Sequence, residues 1–292
     1  MNRPLTPQQW RAAQSEHQLR AKTLTQARRE RRQRGEREPV DDFMFEYYPY
    51  TPTKLETWYP GVGVSLEVDQ EHTFDMPNYL SGSTQCSLDP AYVDKHRARI
   101  DSTLELLRNT SGREGTFNCF GLHEWAMLYK QDDSEIRHLD PLRVSQSEIA
   151  GLVEEVGLRC THIDAFRFFT EAAAPQNANR FNLVPTRENQ KFVEQPGCLH
   201  ANMDLYKHCM WFQPMITGAL VLDCFVLARD ARTLDMQASP YDLLAYGYEP
   251  IRIEEGAGRA TYVARQRLIS QRSDQLRNQL ISVFESTRAL ST

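Results

Sequence analysis

Three short stretches of the chain pair an imidazole with a carboxylate: His123-Glu124, His162-x-Asp164 and His200-x-x-x-Asp204. Each closely follows a cysteine (Cys119, Cys160 and Cys198), and each is flanked by apolar residues, so the polar groups are expected to point inward. An unpaired polar group in an apolar interior is costly, so these side chains need partners. Imidazole and carboxylate ligands from separate elements are what a zinc or non-haem iron site requires. On that reading His123, His162 and His200 are metal ligands, Asp164, Asp204 and Glu124 supply the carboxylates, and the substrate is a small molecule. None of the three stretches matches a specific zinc pattern. Met127 stands where the second histidine of an HExxH motif would follow His123-Glu124. Histidines hydrogen-bonded to acids also need no metal, and that plainer reading stays open.

The same groups admit chemistry without a cofactor. N-glycosidic hydrolysis passes through an oxocarbenium-like transition state that a nearby carboxylate stabilises. Asp164, Asp204 and Glu124 are the candidates for that role. Tyr47, Tyr48, Trp125 and Phe166 are the candidate walls, because ring faces stack a flat base and attract a cationic one. No nucleophile elbow, P-loop or dinucleotide fingerprint is present.

Several elements have to position these groups. The stretch Pro196–Pro214 reads as a central helix bounded by Pro-Gly and a second proline, with His200, Asp204 and His208 on one face. His208 lies a further turn along and is expected to cap the helix end or face solvent. Residues 158–164 read as a strand, which would put His162 and Asp164 on the same side. Val64–Val68 alternates as a strand should, residues 69–89 read as a long polar loop, and 247–253 as a short strand. Helices are expected over 6–34, 90–109, 145–156, 216–237 and 258–289. Ser145 and Glu148 form a capping box, and Gly157 is a stop. The expected fold class is α+β, predominantly α-helical, a single domain over 39–292 with a few short strands, preceded by a basic helical arm at 1–38.

The 292 residues carry a net charge of −5, and 40% of them are hydrophobic. Residues 1–38 hold ten Lys and Arg against four Glu, +6, which leaves −11 for the remainder. A body this acidic does not attract nucleic acid through its overall field, so contact with DNA would fall to the basic arm. The opening MNRPLTPQQW lacks the apolar core of a signal peptide, and no apolar run is long enough for a bilayer. The expectation is a cytoplasmic protein with reduced cysteines and no membrane partner. None of the six cysteines forms a CxxC pair.

The runs DDFMFEYYPYTPTKLETWYPGVGVSLE, CFGLHEWAMLY, RCTHIDAFRFFT, EQPGCLHANMDLYK and LARDARTLDMQASPYDLLAYGYEP resemble a family of bacterial, often actinobacterial, proteins commonly labelled 3-methyladenine DNA glycosylase. The similarity extends over most of the chain. It implies excision of an alkylated or modified purine in base-excision DNA repair, with no cofactor. The metal-dependent small-molecule enzyme is the alternative, and a non-enzymatic interaction protein docking through the arm is a further one.

Overall fold

Thr6 starts the first helix because its side chain accepts from the Gln9 backbone while the Gln9 side chain accepts from the Thr6 N–H, a reciprocal capping box. The helix, α1, runs Pro7–Arg34 and stops at Gly35, whose φ of 69° suits glycine. The computed structural model describes residues 3–48, 50–131 and 140–287. After α1 come α2 (Phe43–Glu46), α3 (Pro52–Leu55), β1 (Ser65–Glu67), β2 (Tyr79–Ser81), β3 (Gln85–Leu88) and α4 (Pro90–Ser111). They are followed by α5 (Leu122–Ala126), α6 (Gln146–Val156), α7 (Ile163–Phe166), α8 (Gln190–Val193), α9 (Leu199–Trp211), α10 (Gly218–Gln237) and α11 (Gly256–Ser286). The fold is α+β and predominantly helical, with a small antiparallel sheet of order β1-β3-β2. No helix among the described residues is long and apolar enough to cross a membrane.

The chain divides into two compact units. The first comprises Met1–Leu107, Leu205–Val226 and Gln275–Thr292; the second comprises Arg108–Asp204 and Leu227–Asp274. In the first unit, Leu66 of β1 pairs with Cys86 of β3, and both side chains are buried in a cluster with Trp10, Trp58, Val68 and Phe74. Trp10 belongs to α1, so the basic helix is anchored in this core. His17, Ala21 and Thr25 continue its buried stripe at spacings of four. The arginines of its second half are matched by acids. Arg28 reaches Asp42 at 2.5 Å, Arg31 reaches Asp41 and Asp42 at 2.5 and 2.6 Å, Arg34 pairs with Glu36, and Arg29 pairs with Glu56.

The second unit holds the clean amphipathic helix α6, capped by Ser145 and Glu148 as expected, with Ile149, Leu152 and Val153 buried. Helix α9 begins here and is covered almost all round. Between Leu199 and Met210, only His200 and Lys207 are not fully buried. Its entry is fixed by close approach. A Cβ on Gly197 would lie 2.3 Å from the Thr116 carbonyl oxygen, a distance no side chain tolerates. Gln195, whose Oε1 accepts from the N–H groups of Thr116 and Gly197, ties the same turn.

Three expectations about strands need correction. Residues 69–89 are not a plain loop: β2 and β3 form within them because Cys86 and Leu88 alternate inward. Residues 247–253 form no strand; the Ile251 N–H bonds instead to the Gln237 carbonyl. Residues 158–164 also form no strand, apart from an isolated bridge between Leu158 and Asn177. The final helix ends at Ser286, and residues 288 and 289 of its expected span lie outside the described residues.

Gly197→Ala is expected to destabilise the protein by roughly 1–3 kcal/mol, the usual cost of forcing atoms into a filled space. Equilibrium urea unfolding with an unchanged m-value is the measurement.

Candidate functional site

The HxD stretch turns rather than extending. His162 is the N-cap of α7, and its Nδ1 accepts from the Asp164 N–H at 3.2 Å. That turn sends Asp164 away from His162. The Asp164 carboxylate is bound by the Arg187 guanidinium, with Arg167 at 3.7 Å. Asp164 is therefore buried and ion-paired, apart from the histidines, and the shared face that a strand would have given it does not exist.

The three histidines do converge, all within the second unit. The His200 ring centroid lies 4.6 Å from that of His123, edge to face, and 5.6 Å from that of His162, nearly parallel. His123 Nε2 stands 3.0 Å from Asp235 Oδ2. Arg232 Nη1 donates to the same oxygen at 3.3 Å and to Glu124 Oε1 at 2.7 Å. His162 Nε2 lies 3.4 Å from Glu194 Oε2 and 3.5 Å from Asp204 Oδ2. Glu194 is held in turn by Gln190 and by Thr110 Oγ1. Four acids (Glu124, Glu194, Asp204 and Asp235) thus face three basic groups (Arg232, His123 and His162).

Burial works against charge on His123, but the Asp235 carboxylate and its hydrogen bond outweigh it, and the pKa rises well above the ordinary value. His162 accepts at Nδ1 and so carries its one proton at Nε2, toward Asp204 and Glu194. His200 goes the opposite way to His123. Burial and the neighbouring His123 push its pKa well below the ordinary value, which leaves its imidazole neutral. Groups whose environments drive their pKa values apart are the arrangement that separates acid from base in catalytic sites.

His123 and His200 line a small cleft with Cys119, Cys160, Cys198 and Tyr262. Its cavity volume is about 20 Å³. That admits an ion or a water, whereas a cavity near 150 Å³ is needed even for benzene. One ligand atom from each of His123, His200 and Asp235 lies within 4.8 Å of the other two. Asp235 Oδ1 is buried and accepts no hydrogen bond. The donor set fits the two-histidine, one-carboxylate pattern of transition-metal sites.

The remaining candidates stand elsewhere. Glu124 holds Arg232 rather than facing the cleft. The Trp125 ring is fully buried, donates from Nε1 to the Ala238 carbonyl and carries the Arg143 guanidinium at 5.4 Å. Phe166 packs on Phe169 at 5.0 Å. Tyr47 and Tyr48 belong to the first unit, where Tyr47 stacks on Phe43 and Tyr48 meets Tyr206 edge to face. None of the four proposed walls lines the cleft. His208 does not face solvent: it is buried, with its ring 5.5 Å from that of Trp211. Sequence reasoning passed over Asp235 and Glu194. For Asp235 the available signal was the Arg232-x-x-Asp235 pair interleaved with the apolar Ala231, Leu234 and Met236 of α10, all buried; Glu194 sits in a segment with no periodic cue.

Comparison with protein-family models, characterised proteins and solved structures returns no match for this chain.

Two outcomes are expected. Arg232→Met removes the cation shared by Glu124 and Asp235 and should cost about 3–5 kcal/mol in chemical denaturation, as removing one partner of a buried ion pair does. The raised His123 pKa means its contribution to stability is fully present below its unfolded value of 6.5 and is lost as pH rises through the folded value. Melting temperature should therefore fall as pH rises above 6.5 in the wild type, and Asp235→Asn should flatten the fall.

Proposed function

We propose that this chain is a metal-dependent enzyme acting on a small molecule, with His123, His200 and Asp235 holding one divalent transition-metal ion. The observation that carries this reading is the grouping of those three ligand atoms within 4.8 Å, drawn from α5, α9 and α10. Two further features support it. The His200 imidazole is kept neutral, which is the form a metal needs, and binding would displace the proton that Asp235 favours on His123. The unbonded Oδ1 of Asp235 is a buried acceptor that an ion would satisfy.

Each neighbour then has a task. Arg232 clamps Asp235 and, through Glu124, is itself fixed in place, so the ligating carboxylate keeps its orientation. His162 stands against the His200 ring with its Nε2 proton turned to Asp204 and Glu194. The cleft opens beside His200, where water or a substrate oxygen could complete the coordination. Bound there, the ion would supply Lewis-acid polarisation of that oxygen.

The family resemblance carries a second reading, N-glycosidic hydrolysis with Asp204 as the electrostatic carboxylate. It draws less support. The four aromatic candidates lie away from the cleft, and four arginines of α1 are engaged by acids of the chain.

Metal analysis of the purified protein should give about one zinc or iron per chain. His200→Ala should abolish this while the melt in the presence of chelator stays that of the wild type. A wild-type protein that neither carries nor takes up zinc, ferrous or manganous ion would refute the reading.

A further inference from the structure

The cleft beside His200 has a one-sided electrostatic lining. None of the described residues that line it is acidic. Its permanently charged member is Arg159, which is exposed and forms no ion pair or hydrogen bond with the described residues. Other arginines of the second unit are matched: Arg143 by Glu254, Arg187 by Asp164 and Arg232 by Glu124. The four acids near the histidines lie behind the lining. Arg232 engages Glu124 and Asp235, while Glu194 and Asp204 face His162 Nε2. A lone exposed arginine is ordinary on a protein surface. What sets Arg159 apart is its place at the rim of a cleft that holds two histidines and no acid.

A second donor belongs to the same cleft. Tyr262 is buried in its lining, and the Tyr262 hydroxyl bonds none of the described residues. Gly121 has no side chain beside it. The place that a Cβ on Gly121 would take lies 3.4 Å from Tyr262 Oη and 3.5 Å from Asp235 Oδ1. The phenol therefore borders the same small space as the carboxylate oxygen assigned to the ion. A phenol ordinarily titrates near a pKa of about 10, so at neutral pH it carries a proton to donate.

We infer that the substrate of this centre is a small oxyanion, a carboxylate or a phosphate ester, held by the Arg159 guanidinium at the mouth of the cleft and by the Tyr262 hydroxyl inside it. This rests on the metal-centre reading given above. The guanidinium presents its donors in a planar fork that matches the paired oxygens of either group. With no acid in the lining to compete for that fork, the cleft discriminates by charge: a neutral molecule of the same shape leaves Arg159 unused. Arg159 and Tyr262 both bind and orient the substrate, and neither needs to gain or lose a proton to do so.

The test uses the full-length chain loaded with cobalt(II), whose visible spectrum changes when a new ligand reaches the ion. The probes are acetate, methyl phosphate and neutral acetamide. One or both anions should shift the spectrum with saturation, and acetamide should not. Arg159→Gln should raise the dissociation constant of the anion about tenfold, the usual worth of a charge-assisted hydrogen bond, and Tyr262→Phe should raise it several-fold. Cobalt stoichiometry should stay that of the wild type in both variants. The anion that binds more tightly names the class. Unchanged anion affinity in Arg159→Gln, acetamide binding as tightly as acetate, or no response to either anion would overturn the substrate assignment and leave the metal centre standing. A wild-type chain that takes up no cobalt would remove both.

Discussion

Much of the second unit is organised by the chain of contacts His123–Asp235–Arg232–Glu124. One arginine on α10 bridges two carboxylates, one on its own helix and one on α5, and the same aspartate orients an imidazole. All four side chains are buried. Charges removed from water at such cost persist only when their geometry is closely matched. The matching locks α5 against α10 and aims the His123 ring at His200. Remove the arginine and both the packing and the imidazole lose their reference.

The second histidine pair works by a similar rule with different parts. His162 is held between Asp204 of α9 and Glu194, and Glu194 is itself held by Gln190 and Thr110. The two networks lie on either side of His200, which makes no comparable bond. Burial and the neighbouring His123 keep that ring neutral.

How much of this was legible in the sequence depended on the kind of signal. Helices with caps could be read closely: the Ser145 box and the Gly157 stop lie where the residues say they should. The cue for bringing His123, His162, His200 and Asp204 together was a set of polar groups embedded in apolar stretches. Asp164 was misplaced because a histidine side chain capping its own short helix looks, in sequence, like the alternation of a strand. The aromatic walls were misjudged for another reason. Large rings lining a pocket and large rings filling a core have the same local pattern, and only tertiary packing separates them. Asp235 was passed over because its partner His123 lies 112 positions away, and the Arg232-x-x-Asp235 pair does not by itself point there.

Helix α1 carries a consequence of its own. Its ring-bearing face is part of the first unit's interior: Trp10 donates from Nε1 to the Glu67 carbonyl, and His17 bonds the Leu55 carbonyl while sitting tight over Gly218. Cutting the chain near residue 38 would therefore not release a detachable tether. It would strip a keystone from the interior, and any lost binding in such a truncation would report collapse rather than the loss of a docking segment.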